Sequence, residues 1–141
     1  MRNLILIALL ALNGVLYSQS PVGIWKNLDD TDGKEKSHIE ISESGGVLKA
    51  KVIKLLAGAT IKKCDACKGD KKGKDLVGLD ILWGMKKSGK IWEGGTILDP
   101  KTGKEYNCKI EFDGTEKLKV RGYVGVSLFG RDVYKRQLLY C

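Results

Sequence analysis

The sequence predicts an all-β protein, a small up-and-down antiparallel barrel of about eight strands. Three observations lead there. Apolar and polar residues alternate with period two through most of the chain beyond residue 20. Turn-forming clusters of Gly, Asp, Asn and Ser recur at roughly 8- to 15-residue intervals. No amphipathic helix of useful length breaks the series. Hairpins in succession favour a closed barrel over an open sheet, because closure leaves no unpaired edge.

The first strand is expected near 22–27, carrying Trp25, and "DDTDGK" turns the chain into a second near 36–42. There Ile39 and Ile41 face inward while His38 and Glu40 face outward. "SESGG" leads to a third strand near 47–55, followed by a long connection, 56–79, in which one helical turn fits at 56–61. Strands near 79–85 and 90–98 flank "KKSGK", and "DPKTGK" opens the next, near 104–112. That segment, "KEYNCKIEF", has the clearest pattern: Tyr106, Cys108, Ile110 and Phe112 share one face and Glu105, Asn107, Lys109 and Glu111 the other. This is a half-buried strand with one wet face. After "DGTE", a strand near 116–124 sets Leu118, Val120, Gly122 and Val124 opposite Lys117, Lys119, Arg121 and Tyr123. An eighth strand is expected beyond Gly130.

The N-terminus predicts export. A basic start at Arg2 and the apolar run "LILIALLALNGVL" read as a secretory signal over 1–18, too short for a comfortable span. Cleavage after Ser18 leaves a single domain over 19–131 in the periplasm or outside the cell, with no stable membrane anchor. No cysteine directly follows the apolar run, which argues against a lipid anchor. Loss of Arg2 lowers the formal net charge from +8 to +7. Lysines are spread among acids with no arginine stripe or interleaved aromatics, so no nucleic-acid partner is expected.

"PVGIWKNLDDTDGKEKSHIEI" (21–41), "CDACKGDKKGK" (64–74), "GLDILWGMKKSGKIWEGGTILDPKTGKEYNCKI" (78–110) and "KLKVRGYVGVSLFGR" (117–131) together resemble a family of exported bacterial proteins, domain of unknown function 2147. The resemblance implies a lipocalin- or calycin-like barrel and no established activity. Gly23-Ile24-Trp25 also looks like the Gly-x-Trp that opens the first strand of lipocalins. That likeness implies that Trp25 plugs one end beneath an arginine, for which Arg131 is the best match and Arg121 a weaker one. The pair would be a cation–π contact. The resemblance stops after Arg131. Residues 132–141, "DVYKRQLLYC", are atypical and read as foreign sequence fused to a truncated frame. On that reading the closing strand is missing or replaced and the seam open, while "VYKRQLLY" can still pair with a neighbouring strand edge.

Four cysteines are present: Cys64, Cys67, Cys108 and Cys141. A structural zinc site needs four ligands, and only one pair and one histidine exist. A redox pair belongs at a helix N-terminus in a βαβ setting, which is missing here. Export favours a plain Cys64–Cys67 disulfide, with Cys108 a buried thiol. No metal or cofactor is expected. Asp29, Asp30 and Asp32 lack the EF-hand spacing and read as turn chemistry. Ser37 and His38, adjacent on a strand, point to opposite faces and form no dyad. No catalytic constellation emerges. The leading expectation is a module that binds a small apolar ligand, with Trp92, Tyr106, Phe112 and Val120 lining the interior and Trp25 closing one end. The alternative is a filled barrel acting through its outer surface and the 56–79 loop.

Overall fold

The structure, a computed structural model, describes residues 14, 18–29 and 31–125 and the backbone of 130–137. Eight strands run in chain order: β1 (Gly23–Leu28), β2 (Glu35–Ser44), β3 (Val47–Leu55), β4 (Asp80–Ser88), β5 (Ile91–Asp99), β6 (Lys104–Asp113), β7 (Lys117–Tyr123) and β8 (Gly130–Gln137). Each pairs antiparallel with the next, and β8 pairs with β1, so the sheet closes on itself. Of the segment 1–18 expected to be a signal, all but residues 14 and 18 fall outside the described residues, as does Cys141.

The period-two pattern is realised strand by strand. On β2, Ser37, Ile39 and Ile41 are buried between half-buried neighbours; on β7, Leu118 and Val120 are buried between Lys117, Lys119 and Arg121. Lys26–Glu35, Lys51–Glu40 and Lys119–Glu111 pair across strands on the outer face, at 2.8, 3.5 and 3.8 Å. Inside, the core joins all of β1 to β7, with Trp25, Ile39, Leu48, Met85, Cys108, Ile110 and Leu118 within it.

The tail does pair, so the seam is closed: β8 pairs with β7 from Tyr123↔Gly130 to Lys117↔Arg136, and with β1 at Trp25↔Gln137, Lys26↔Arg136 and Asn27↔Lys135. The backbone donors and acceptors of β1 and β7 accept an extended partner whatever its side chains. The segment 56–61 holds only a hydrogen-bonded turn, Ala59 N–H to Leu56 C=O at 2.9 Å, and the one short 3-10 turn of the loop lies later, at Gly69–Lys71.

The strand order sorts the loops between two ends. The short turns after β2, β4 and β6 lie at one end with Trp25. The turns after β1 and β5, the 56–79 loop, the end of β7 and the start of β8 lie at the other. That second end is the open one.

The candidate binding cavity

At the closed end, Trp25 is completely buried and its indole Nε1–H donates to the Pro21 carbonyl at 2.8 Å. Phe112 bridges Trp25 and Trp92, with ring centroids 6.2 and 6.0 Å apart and planes steeply tilted. Such tilted contacts set the positive ring edge against a negative face. The three rings form a plug. The Arg131 side chain expected over Trp25 lies outside the described part of the structure.

Above the plug, the open half of the barrel holds a cavity of about 490 Å³. Val52, Leu55, Ile81, Ile97 and Val120 give it apolar walls. Tyr106 and Val120, two of the residues expected to line the interior, do so. Trp92 and Phe112 are not part of the lining; they belong to the plug. The reason is height: both lie near the closed ends of β5 and β6, whereas Tyr106 starts β6 at the open end. Alternation tells inside from outside and says nothing of depth.

The rim is polar and was not anticipated. Asn27, Ser37 and Tyr123 line it, with Asp29, Lys36, Asp99 and Lys101. Asp29 is almost buried, its side chain 8% exposed, and lies 3.4 Å from Lys101 and 4.0 Å from Lys36. Lys36 reaches Asp32 at 2.9 Å. The Thr31 hydroxyl and backbone N–H both donate to Asp29, and these bonds, aided by Lys101, hold its carboxyl far below the usual carboxylate range. Asp32 is also held low, by the Lys34 N–H first and then Lys36. Asp29 and Asp32 therefore work as turn and lysine partners, as the spacing suggested, while Asp30 lies outside the described residues. Among the described residues no group of His, Cys, Asp and Glu could hold a metal ion. His38 lies outside the cavity.

One wall of the mouth comes from the 56–79 loop, which contributes Ala59, Thr60, Ile61 and Leu76. The Cys64–Cys67 disulfide is formed, and Cys108 is completely buried in the main core. Although lysines flank them, both cysteines are buried in a second small core with Leu76, Leu79 and Leu98. Cys64 Sγ lies 3.6 Å from the Pro100 carbonyl, so the staple sits directly beneath the β5–β6 turn that carries Lys101. A loop this long needs its own apolar contacts to remain ordered.

The family model described as "Uncharacterized protein conserved in bacteria (DUF2147)" matches residues 23–136. The match thus runs past Arg131 through most of β8. No curated protein matches the chain significantly. Among solved structures, the chain is similar to one described as "Protein HP1028 from the human pathogen Helicobacter pylori belongs to the lipocalin family". The TM-score is 0.74 at 19% identity, covering 85% of this chain and 84% of that one. At that identity the likeness establishes the lipocalin-like fold alone.

Proposed function

We propose, from the premise that the chain belongs to the DUF2147 family, that it is an exported binding protein for a small, largely apolar molecule. The cavity carries this reading. Its volume, about 490 Å³, lies within the range of small-molecule sites, and its make-up, apolar walls under a few polar groups, is typical of them. Burying ligand surface against Val52, Ile97 and Val120 supplies the affinity, at roughly 25 cal/mol per Å² before the costs of association. The rim groups orient the ligand's polar end. A filled barrel acting only through its exterior fits this open interior poorly.

The reading is one of binding, not catalysis. The ionisable groups lining the cavity are Asp29, Lys36, Asp99, Lys101, Tyr106 and Tyr123, and the first four are engaged in ion pairs or turn hydrogen bonds. Export is part of the proposal: cleavage after Ser18 would leave Pro21 and the Trp25 plug intact. Purified mature protein whose first residue is not Gln19 would sink that detail.

Titration of the fluorescent probe 1-anilinonaphthalene-8-sulfonate against folded protein tests the site, with native mass spectrometry to detect any co-purified molecule. Ile97→Trp and Val120→Trp each fill the cavity from its wall. Both are expected to weaken probe binding at least tenfold while the circular dichroism stays native. Unchanged affinity in both folded variants would remove the cavity as the site.

A further inference from the structure

We infer that the 56–79 loop is a docking surface for an anionic lipid membrane, which it meets through Lys62, Lys63, Lys68, Lys72 and Lys74. Residues 62–74 hold six lysines against Asp65 and Asp70. Five of the six are exposed, and among the described residues none of those five forms an ion pair. The sixth, Lys71, is engaged: its Nζ lies 3.6 Å from the centroid of the Trp83 ring and 3.7 Å from Glu105. Charge is thus left over where the loop faces solvent.

The loop also holds those charges in place. Cys64 N–H bonds to Lys74 C=O at 2.8 Å and Leu76 N–H to Lys62 C=O at 2.9 Å, drawing the two ends of the lysine run side by side. The disulfide and the second core fix the segment between them. Prearranged charge loses less freedom on docking than charge on a floppy tail. The β5–β6 turn lies against the loop, Gly103 touching Ala66, and adds the exposed Lys104 to the same end. Exposed apolar groups lie nearby: Val77 on the loop and Val124 on the cavity rim are 51% and 68% exposed.

The composition selects the occupant. Between 56 and 79 there is no arginine and no aromatic residue. Protein partners and nucleic acids are read by the arginine fork, aromatic anchors and stacked bases. Lysine is a compact, flexible point charge, suited to a fluid layer of headgroups with no fixed geometry. Polybasic segments of this size are attracted to such layers, by roughly fivefold in affinity per lysine. The inference goes beyond the cavity reading and stands whether or not the cavity is filled.

Co-sedimentation of the folded, mature protein with vesicles tests it. Phosphatidylcholine vesicles containing about 30% phosphatidylglycerol are compared with pure phosphatidylcholine, at low and high salt. One variant changes Lys62, Lys63, Lys68, Lys72 and Lys74 to Gln. A charge-matched control changes Lys49, Lys86, Lys90, Lys109 and Lys117 to Gln, on the strands and closed-end turns. The expected result is salt-sensitive binding to the anionic vesicles alone, lost at least tenfold in the loop variant and largely kept by the control. The smaller pair Lys68→Gln with Lys72→Gln, which leaves the Lys62–Lys74 end untouched, should lose affinity part of the way. Equal losses in loop variant and control would reassign the effect to net charge and overturn the proposal. So would failure of the wild type to bind anionic vesicles, or equally tight binding to soluble polyglutamate.

Discussion

Gly103→Ala tests whether the stapled loop and the β5–β6 turn are one mechanical unit. Gly103 has φ +69°, and its N–H closes the turn on the Asp99 carbonyl at 2.8 Å. A side chain costs there twice. An alanine in the left-handed region loses about 1 kcal/mol. Its Cβ would also press into the Ala66 carbonyl and lie 2.9 Å from the Cys67 nitrogen. Both neighbours are backbone, held by the disulfide, so they cannot swing aside as a side chain would. Forced overpacking of this kind costs about 1–3 kcal/mol. Gly114→Ala isolates the first cost, since Gly114 has φ +76° with nothing within 4 Å of the added carbon. Expected losses are about 2–4 kcal/mol for Gly103→Ala and about 1 kcal/mol for Gly114→Ala. Urea unfolding followed by tryptophan fluorescence and far-ultraviolet circular dichroism measures both. Losses equal to within about 0.5 kcal/mol would refute the claim that the turn bears on the loop.

Three further predictions concern the staple and the titrating groups. Cys64→Ala with Cys67→Ala should cost about 2 kcal/mol from chain entropy alone, more if the second core loosens, as read from urea midpoints under non-reducing conditions. His38 is held below its ordinary 6.5 chiefly by desolvation, with Lys54 and Lys26, its neighbours across β3 and β1, adding repulsion. The unfolded chain therefore takes up that proton first, and stability should fall as pH drops through 6.5 toward the folded-state value. His38→Gln should flatten this slope in unfolding curves measured between about pH 7 and pH 5. Asp29 and Asp32 are held below 3.8, so their contribution is present above that pH and lost as pH falls toward their folded-state values. Asp29→Asn should reduce the acid-induced loss below about pH 4 and leave the His38 slope unchanged, a distinction that unfolding curves across both ranges resolve.

The strands were legible because their signal is local: each residue of "KEYNCKIEF" needs only its neighbours to declare a face. What was hidden depends on where elements meet. Trp92 and Phe112 were correctly placed inside, but whether an inward residue joins the plug or the cavity follows from its height in the barrel, which strand stagger sets. The rim residues Asp29, Lys36 and Lys101 read as turn and strand-face charges, and only closure brings them together. Nothing in the lysine-rich run around Cys64 and Cys67 shows that they are buried; Leu98, from a strand some thirty residues on, packs with them. β8 has little pattern of its own, since backbone pairing does not require one.

The seam between β1 and β8 sets the order in which the barrel can assemble. Every other pairing joins strands consecutive in the chain, whereas Trp25↔Gln137 brings together residues more than a hundred positions apart over a ladder of three. Ring closure that long is entropically the slowest contact to gain, and a short ladder is the easiest to lose. The hairpins should therefore zip up from their turns, with the first and last strands meeting at the end of the reaction. In the finished molecule, amides of Trp25 to Asn27 facing that ladder should exchange with solvent ahead of those in the β5–β6 ladder, so the barrel breathes along one line.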